Sequence, residues 1–551
     1  MLPVSRPALR LGAACLLLLA GAASSLLAAG RGAVRGGTTT TTTATTATTV
    51  TSPARVVLAV SGHGWGHGLG LSQWGAYGYA KHGWTYDQIL AHYYTGTTLG
   101  PAPVSTVRVL LGQKKKAAVA ATAAWTIADA AGTKVVLDPG ELTLGPKLAV
   151  KDHPELQPPY TFSSKQPLAV DGKQYRGRLL VSSDGKKVQV VDVVGLEAYL
   201  KGVVPAEMPS GWPAEALKAQ AVAARSYALA NLHKGKDFDL YSDTRDQVYG
   251  GIAAEWQSAS DAITATKGRV VLWNGKVADT LFFSTSGGRT ASAVDATGSA
   301  VPYLVSVADP YDTLSPYHDW GPVLFDGAGV AKQLKLPPPL SDLSTLTGSS
   351  GRAKSVTAVG ANDTQATVTG AQFRALLELR STWFSDALLS LLPPAKTVTY
   401  GGAASLTGFA RGADAVTLEA KAAGKDWTAA GEVLLAADGS FATIVRPTIG
   451  TQYRIAWNAV RAGLTKIAVA PKVDAQAAIG GVQGTERPAV AGAPVQLQQQ
   501  AGTSWNTLSS TTTDAGGGFT FSGTLQPGTY RVRCAPAHGL VAGVSVALRV
   551  E

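Results

Sequence analysis

VVPAEMPSGWPAEALKAQAVAARSYALAN, residues 203–231, is the stretch from which the rest of this 551-residue chain is read. A short apolar run, Val203-Val204, stops at Pro205, and a single carboxylate, Glu207, stands between Pro205 and Pro209. After Gly211 come Trp212-Pro213 and a helix expected to run to about Asn231. Proline suits the first helical position because no backbone donor is needed there and its φ is already helical. Leu217, Ala221, Ala224 and Ala228 recur at helical spacing, so the helix offers a narrow stripe of mostly small side chains to whatever packs on it. Glu207 therefore sits on a stiff turn at the mouth of a buried helix, where a carboxylate can be aimed. The plainer alternative is that it only favours the positive end of the helix.

Three further stretches stand out: GHGWGHGLGLSQWGAYGYA at 62–80, DQVYGG at 246–251 and FFSTSGGRT at 282–290. Together with the 203–231 segment they resemble the SpoIID/LytB family of sporulation stage II protein D and LytB amidase enhancers. The resemblance covers roughly residues 55 to 390 and not the last third. It implies a lytic transglycosylase acting on peptidoglycan, with Glu207 as catalyst and a preference for glycan strands stripped of their stem peptides. It also implies that His67 and Gln73, in the H-G-x-G-x-S-Q core, lie near the cleft. In many relatives that core follows the catalytic segment, whereas here it precedes it. Some relatives carry a cysteine-built zinc site near DQVYGG; here Asp246 precedes Gln247 and no cysteine lies in the region, so that site is expected to be absent.

The residues allow the chemistry to be considered directly. Hydrolases of glycosidic bonds usually use two carboxylates, and these segments offer one. A lytic transglycosylase needs only one, because the same glutamate protonates the bridging oxygen and then deprotonates the 6-hydroxyl of N-acetylmuramic acid. That hydroxyl closes a 1,6-anhydro ring and no water enters. The acid must keep its proton near neutral pH, which apolar neighbours such as Val203, Val204, Met208 and Trp212 can arrange. Gln220 and Arg225 lie on the helix behind the turn, as substrate contacts or as buried anchors. Tyr249 and the loop Ser284-Thr285-Ser286 supply hydroxyls and backbone amides of the kind that sugars need, or form a plain serine-rich turn. No G-x-S-x-G elbow surrounds the serines, so a hydrolase triad is not indicated. If 62–70 were extended, its alternating glycines would leave one face as bare backbone and place His63, Trp65, His67 and Leu69 on the other. His63 and His67 are four apart, yet no zincin glutamate follows and no third ligand is identifiable. No metal and no cofactor are expected.

Composition and compartment frame these motifs. Residues 1–29 read as a secretory signal, with Arg6 and Arg10 ahead of the apolar Leu11–Leu19 run and Ala-rich cleavage positions after it. Gly12 and Gly21 break the run, which argues against a membrane span once the signal is removed. Gly12 also argues against a lipid anchor at Cys15. Only Cys534 then remains, so neither an internal disulfide nor a thiolate cluster is available. The formal charge of +11 falls to about +9 in the mature chain, which favours an anionic partner such as cell-wall polymer. Scattered cations without a recognition motif argue against nucleic acid. The threonine tract at 38–53 completes a linker, 30–54.

The fold expected is α+β: a mixed catalytic domain at 55–392 with a β-rich subdomain, then two β-sandwich, immunoglobulin-like modules at 393–472 and 473–551. A strand is expected at 56–60, a capping box at Thr85 and Gln88 starting a helix, short strands through 104–150, and a helix at 253–266. Strands are expected at 270–273 and 280–284, and a closing helix with Phe373, Leu376, Leu377 and Leu379. The modules are read from an echo: Trp427, Phe441 and Tyr453-Arg454 recur as Trp505, Phe519 and Tyr530-Arg531 at an offset of 77 to 78. Two functions remain open: a secreted, wall-associated lytic transglycosylase acting on glycan strands, or a non-catalytic wall binder that stimulates a cell-wall amidase.

Overall fold

The structure, a computed structural model, describes residues 50–51, 55–392, 394 and 397–551. The expected signal segment, Cys15 and most of the linker lie outside the described residues.

The strand Val56–His63 joins the two halves of the molecule. Its run VVLAV is buried on both faces. Val56, Leu58 and Val60 face a core with Val330, Phe373 and Leu388, while Val57 and Ala59 face another with Leu389, Leu391, Leu406 and Ile455. The period of two in a strand makes that division automatic. The strand pairs antiparallel with Asp319–Asp326 on one side and Phe384–Leu392 on the other. Phe384–Leu392 pairs in turn with Ala404–Arg411, and that strand with Ser440–Val445. A second five-stranded sheet, ordered Val50–Thr51, Val460–Ile467, Thr451–Trp457, Val416–Ala422 and Thr428–Val433, contributes the other wall of the same core. The first sandwich is thus built from strands on both sides of Leu392, and the boundary expected there cuts through one sheet.

The second sandwich has its own core, with Val482, Val495, Phe519, Tyr530 and Val532. The sequence echo has a physical counterpart: Arg454 lies over the ring of Trp427 at 4.0 Å and Arg531 over that of Trp505 at 4.2 Å.

The motif-bearing part centres on a seven-stranded sheet. In it Val188–Gly195 lies between Thr106–Lys114 and Arg178–Ser183. That strand runs straight into the helix Leu196–Lys201, then the single turn Val204–Glu207, then the helix Ala214–Ala230. Pro213 is the N-cap of this last helix rather than its first residue. Its burial extends beyond the expected stripe to nearly every side, including Ala216, Ala219, Ala223 and Leu229. Helices Gln73–Lys81, Tyr86–Tyr93 and Gln257–Ala265 and the strand Arg269–Trp273 all pack on it. Alanines make such close approach possible without a large-residue ridge.

Several local expectations are corrected. The glycine-rich 64–70 segment is not extended, since Gly64, Gly66, Gly68 and Gly70 have φ of +73°, +120°, +86° and +74°. Only glycine reaches that region without strain, and a Cβ at Gly70 would lie 2.1 Å from the Leu281 carbonyl oxygen. Expected strand 280–284 shrinks to Phe282–Phe283, parallel to Leu71–Ser72. The 253–266 helix is a 3-10 turn, Gly251–Ala254, followed by Gln257–Ala265. Residues 148–150, expected as a strand, are irregular chain between two turns, with Leu148 at φ +49°. The domain closes on the strand Phe384–Leu392, after a short helix, Gly370–Leu376. The Thr85–Gln88 capping box is present at the start of Tyr86–Tyr93.

Candidate active site

Glu207 ends the turn Val204–Glu207, where the Met208 amide donates to the Val204 carbonyl at 3.0 Å. Pro205 stiffens the turn and Trp212 N–H closes the next one on the Pro209 carbonyl at 3.1 Å. Val203, Val204 and Met208 are buried around it. The carboxyl is therefore short of water. Its Oε2 has no hydrogen-bond partner, and among the described residues no ion pair involves it. Burial pushes the group up to about 8, because an apolar setting penalises the charged form.

Gln73 clips this turn to a second element. It is the first residue of the helix Gln73–Lys81, whose cap Ser72 accepts from Gly75 N–H at 3.2 Å. Gln73 Nε2 donates to the Glu207 carbonyl at 2.9 Å and to Gln220 Oε1 at 3.4 Å. Gln220 is buried on the long helix, and its Nε2 lacks a partner. Tyr199 Oη donates to Gln247 Oε1 at 3.3 Å, leaving Gln247 Nε2 unpartnered. After burial, nearby acidic groups including Glu207 help to push the phenols of Tyr199 and Tyr227 upward. Unpartnered buried polar atoms are rare in folded proteins. Here Glu207 and Gln220 each contribute one within the set joined by Gln73, and Gln247 contributes a third beside Tyr199.

A group of half-buried aromatics adjoins the turn. Trp74 and Trp212 have ring centroids 4.8 Å apart, Tyr77 and Trp212 5.0 Å, and Trp74 and Tyr77 5.5 Å. The sequence predicts Trp212 as an apolar neighbour of Glu207, and the fold adds Trp74 and Tyr77 to it. The available signal was their i, i+3 spacing immediately after Gln73. Flat apolar ring faces suit the C–H faces of pyranose rings.

The other expected contacts fall elsewhere. Arg225 is fully buried and binds Glu197 through Nε at 3.2 Å and Nη2 at 2.5 Å, with Nη1 on the Arg269 carbonyl at 3.0 Å. It is an anchor, in place of the substrate contact considered for it. Tyr249 is buried and donates to Asp192 Oδ2 at 3.0 Å, so its hydroxyl is likewise spent internally. Thr285 and Ser286 are buried: Thr285 Oγ1 meets Ser315 Oγ at 2.9 Å, and Ser286 Oγ accepts from Gly288 N–H at 3.0 Å. Buried Asp312 holds this loop through the amides of Ser286 and Gly287, at 3.2 and 2.6 Å. Ser284 is only half-buried, and its carbonyl accepts from Trp74 N–H at 3.0 Å, which places it beside the aromatic group. His67 donates from Nε2 to the Phe282 carbonyl at 3.0 Å and accepts at Nδ1 from Leu69 N–H at 3.0 Å. It lines a different cavity from the Glu207 turn. Among the described residues no cluster of three or more His, Cys, Asp or Glu side chains could hold a metal ion.

Comparisons with known proteins place the similarity on this segment. The family model SpoIID, "Stage II sporulation protein", matches residues 184–273. The chain is 34% identical over 192 residues to the "Amidase enhancer" of Bacillus subtilis (strain 168), covering 34% of this chain and 26% of that protein. It is 37% identical over 145 residues to "Stage II sporulation protein D" of the same organism, covering 23% and 42%. An uncharacterized protein of Brachyspira hyodysenteriae (strain ATCC 49526 / WA1) is 40% identical over 149 residues, covering 26% and 40%. The chain thus spans less than half the length of each of these relatives. Among solved structures, a two-domain fibronectin type-III segment of chicken tenascin aligns with 28% of this chain and 95% of its own, at 16% identity and a TM-score of 0.18.

Proposed function

We propose, from the premise that this chain carries a SpoIID/LytB-family domain, that it is a peptidoglycan lytic transglycosylase with Glu207 as its acid and base. The observation that carries this reading is the Glu207 carboxyl itself: on a half-buried residue, with Oε2 buried and unpartnered, and raised by desolvation to about 8. Such a group holds its proton at neutral pH and can deliver it to the oxygen of a glycosidic bond. Once ionised in the same apolar setting it is a strong base for the 6-hydroxyl of the N-acetylmuramyl residue. That hydroxyl attacks its own anomeric carbon, the bridging bond breaks, and the carboxyl is protonated again. One carboxylate suffices because no water is activated. Gln73 fixes the turn from behind through the Glu207 carbonyl, so the acid is positioned by backbone rather than by a bond to its own oxygens. Trp74, Tyr77 and Trp212 would hold the sugar rings.

The reading includes a wall-associated location outside the cytoplasm, supported by the signal-like segment 1–29 and the surplus of positive charge. The relative named as an amidase enhancer supports a second reading, a binder that stimulates a wall amidase. That alternative gives the raised Glu207 carboxyl no task. Mass spectrometry of peptide-free glycan strands after incubation separates the two. Products ending in 1,6-anhydro-N-acetylmuramic acid are expected; uncut strands, or reducing ends from hydrolysis, would overturn the transglycosylase reading.

A further inference from the structure

The two sandwiches repeat one arrangement and differ in the residue at its centre. In each, a hairpin tryptophan lies under an arginine on the far side of the intervening strand: Trp427 under Arg454, and Trp505 under Arg531. The intervening strand sets one residue opposite that arginine, Glu419 in the first sandwich and Gln498 in the second. Glu419 accepts from Arg454 Nε at 2.7 Å and from Arg461 Nε at 2.8 Å, so one carboxylate matches two cations. In the second sandwich Gln498 Oε1 accepts from Arg531 Nε at 2.8 Å, and Gln496 Oε1 from Arg533 Nη1 at 3.4 Å. These amides orient the guanidinium groups and leave their charge uncancelled. The strands Pro494–Ala501, Ser504–Thr512 and Gly528–Cys534 contain no aspartate or glutamate. Among the described residues neither Arg531 nor Arg533 forms an ion pair.

Val495, Leu497, Tyr530 and Val532 point into the core, so the period of two in these strands turns Gln496, Arg531 and Arg533 outward. Gln498 is in register with Arg531 and donates from Nε2 to Thr507 Oγ1 at 3.3 Å, on the same face. Trp505, Arg531 and Arg533 are each half-buried. The face therefore presents an indole beside two guanidinium groups set roughly 7 Å apart along one strand. Guanidinium groups recognise carboxylate and phosphate oxygens, amides and hydroxyls suit sugar hydroxyls, and a flat ring suits a pyranose face.

We propose that this outer face of the second sandwich binds an acidic polysaccharide. Arg531 and Arg533 take its anionic groups, the glutamine amides its hydroxyls and Trp505 a sugar ring. The first sandwich, neutralised by Glu419, does not share the role.

Isothermal titration of the full chain tests this, with polygalacturonate, dextran and inorganic polyphosphate as probes. Polygalacturonate is expected to bind, and less tightly as salt rises. Dextran lacks the anionic groups and should bind about tenfold or more weakly. Gln498→Glu sets against Arg531 the carboxylate that Glu419 sets against Arg454, and should weaken polygalacturonate about tenfold, as the loss of a charged hydrogen bond predicts. Arg533→Gln, at a less enclosed position, should weaken it by a similar factor. Arg454→Gln lowers the net charge by the same amount in the first sandwich and should leave the affinity unchanged. Circular dichroism melts confirm that the variants fold. No binding of polygalacturonate, equal binding of dextran, an equal loss in Arg454→Gln, or no loss in both second-sandwich variants would overturn the site. Binding of polyphosphate alone would overturn the polysaccharide assignment. The readout is affinity, so the result does not depend on whether Glu207 cleaves glycans.

Discussion

Glu207 is kept as an acid by what its surroundings withhold: water, a cation and a donor to Oε2. Its ordinary value is 4.5 and its value in the fold is about 8, so folding takes up a proton between those limits. The associated stability is fully present below about 4.5 and is lost as pH rises through about 8. Glu207→Gln keeps the shape and removes the titration. Thermal melts should therefore show the variant gaining on wild type between pH 5 and pH 9, and parallel melting curves across that range would refute the raised carboxyl. The same variant should lose about 10²–10⁴-fold in turnover, the usual share of acid–base catalysis. Wild-type kcat/KM should fall as pH rises through about 8, because the ionised carboxyl has no proton to give. Trp212→Ala removes one side of the aromatic group. KM on glycan fragments should rise by up to about tenfold with kcat little changed, in line with about 0.5–1.5 kcal/mol for such contacts; a fall in kcat alone would place Trp212 in the chemistry instead. At this scale the sequence was legible where the signal is local. Glu207 announces itself between two prolines, whereas Gln73 and Trp74 reach the site from more than 130 positions away, and only the fold joins them. Arg225 and Tyr249 lie in the right motifs, but no spacing rule reveals Glu197 or Asp192 as the partners that occupy them.

Among the elements, the helix Ala214–Ala230 is the one on which the site is mounted. The small-residue spacing foretells close packing, and the structure extends that packing to almost every side. A helix so enclosed needs a polar pin to fix its rotation, and Arg225 is that pin. It joins the helix Leu196–Lys201 through Glu197 and the strand Arg269–Trp273 through the Arg269 carbonyl. Glu197 also accepts from the Gly268 amide at 3.0 Å, so one carboxylate serves two neighbours. Arg225 is fully buried while the Glu197 side chain is 26% exposed, so removing the arginine leaves a carboxylate that water can partly solvate. Arg225→Met should cost about 1.5–3 kcal/mol in urea unfolding, and the double change with Glu197→Met should recover part of that. A loss below 1 kcal/mol would show that the pair is not a structural pin. The glycine-rich segment teaches a different lesson. Alternating glycines read equally well as a bare extended face or as a chain of left-handed turns, and one sequence cannot separate them. The structure chooses the turns because Leu281, Phe283, Thr285 and Arg352 crowd in where Cβ atoms would stand.

For the whole molecule, the decisive fact is that the sheet does not stop at Leu392. The composition changes there, and the Trp, Phe and Tyr-Arg echo begins soon after, so a reading of the sequence places a boundary at that point. Strand partners cannot be read from composition, and the all-apolar run at 56–60 gives the only hint that this strand is covered on both faces. Deleting 393–551 would remove Ala404–Arg411 from the edge of Phe384–Leu392 and uncover Val57, Leu389 and Leu391. At about 1.5–3 kcal/mol for each large aliphatic side chain, the loss is about 5–9 kcal/mol. A domain's total stability is about 5–15 kcal/mol. This truncation should therefore yield an aggregating or loosely folded product, although every motif of the proposed site is still present. Deleting 472–551 is a different cut. The second sandwich keeps its own core, and between its 539–541 segment and the first sandwich run two backbone bonds, Gly450 N–H to the Gly539 carbonyl at 2.7 Å and Val541 N–H to the Val469 carbonyl at 2.9 Å. That shorter truncation should melt within a few degrees of the full chain's first transition and keep its turnover on soluble glycan fragments. Calorimetry and fragment turnover on the two truncations distinguish the arrangements. If the 393–551 deletion melts cooperatively near the full-length temperature, the shared core does not support the catalytic part, and the first sandwich is a free module after all.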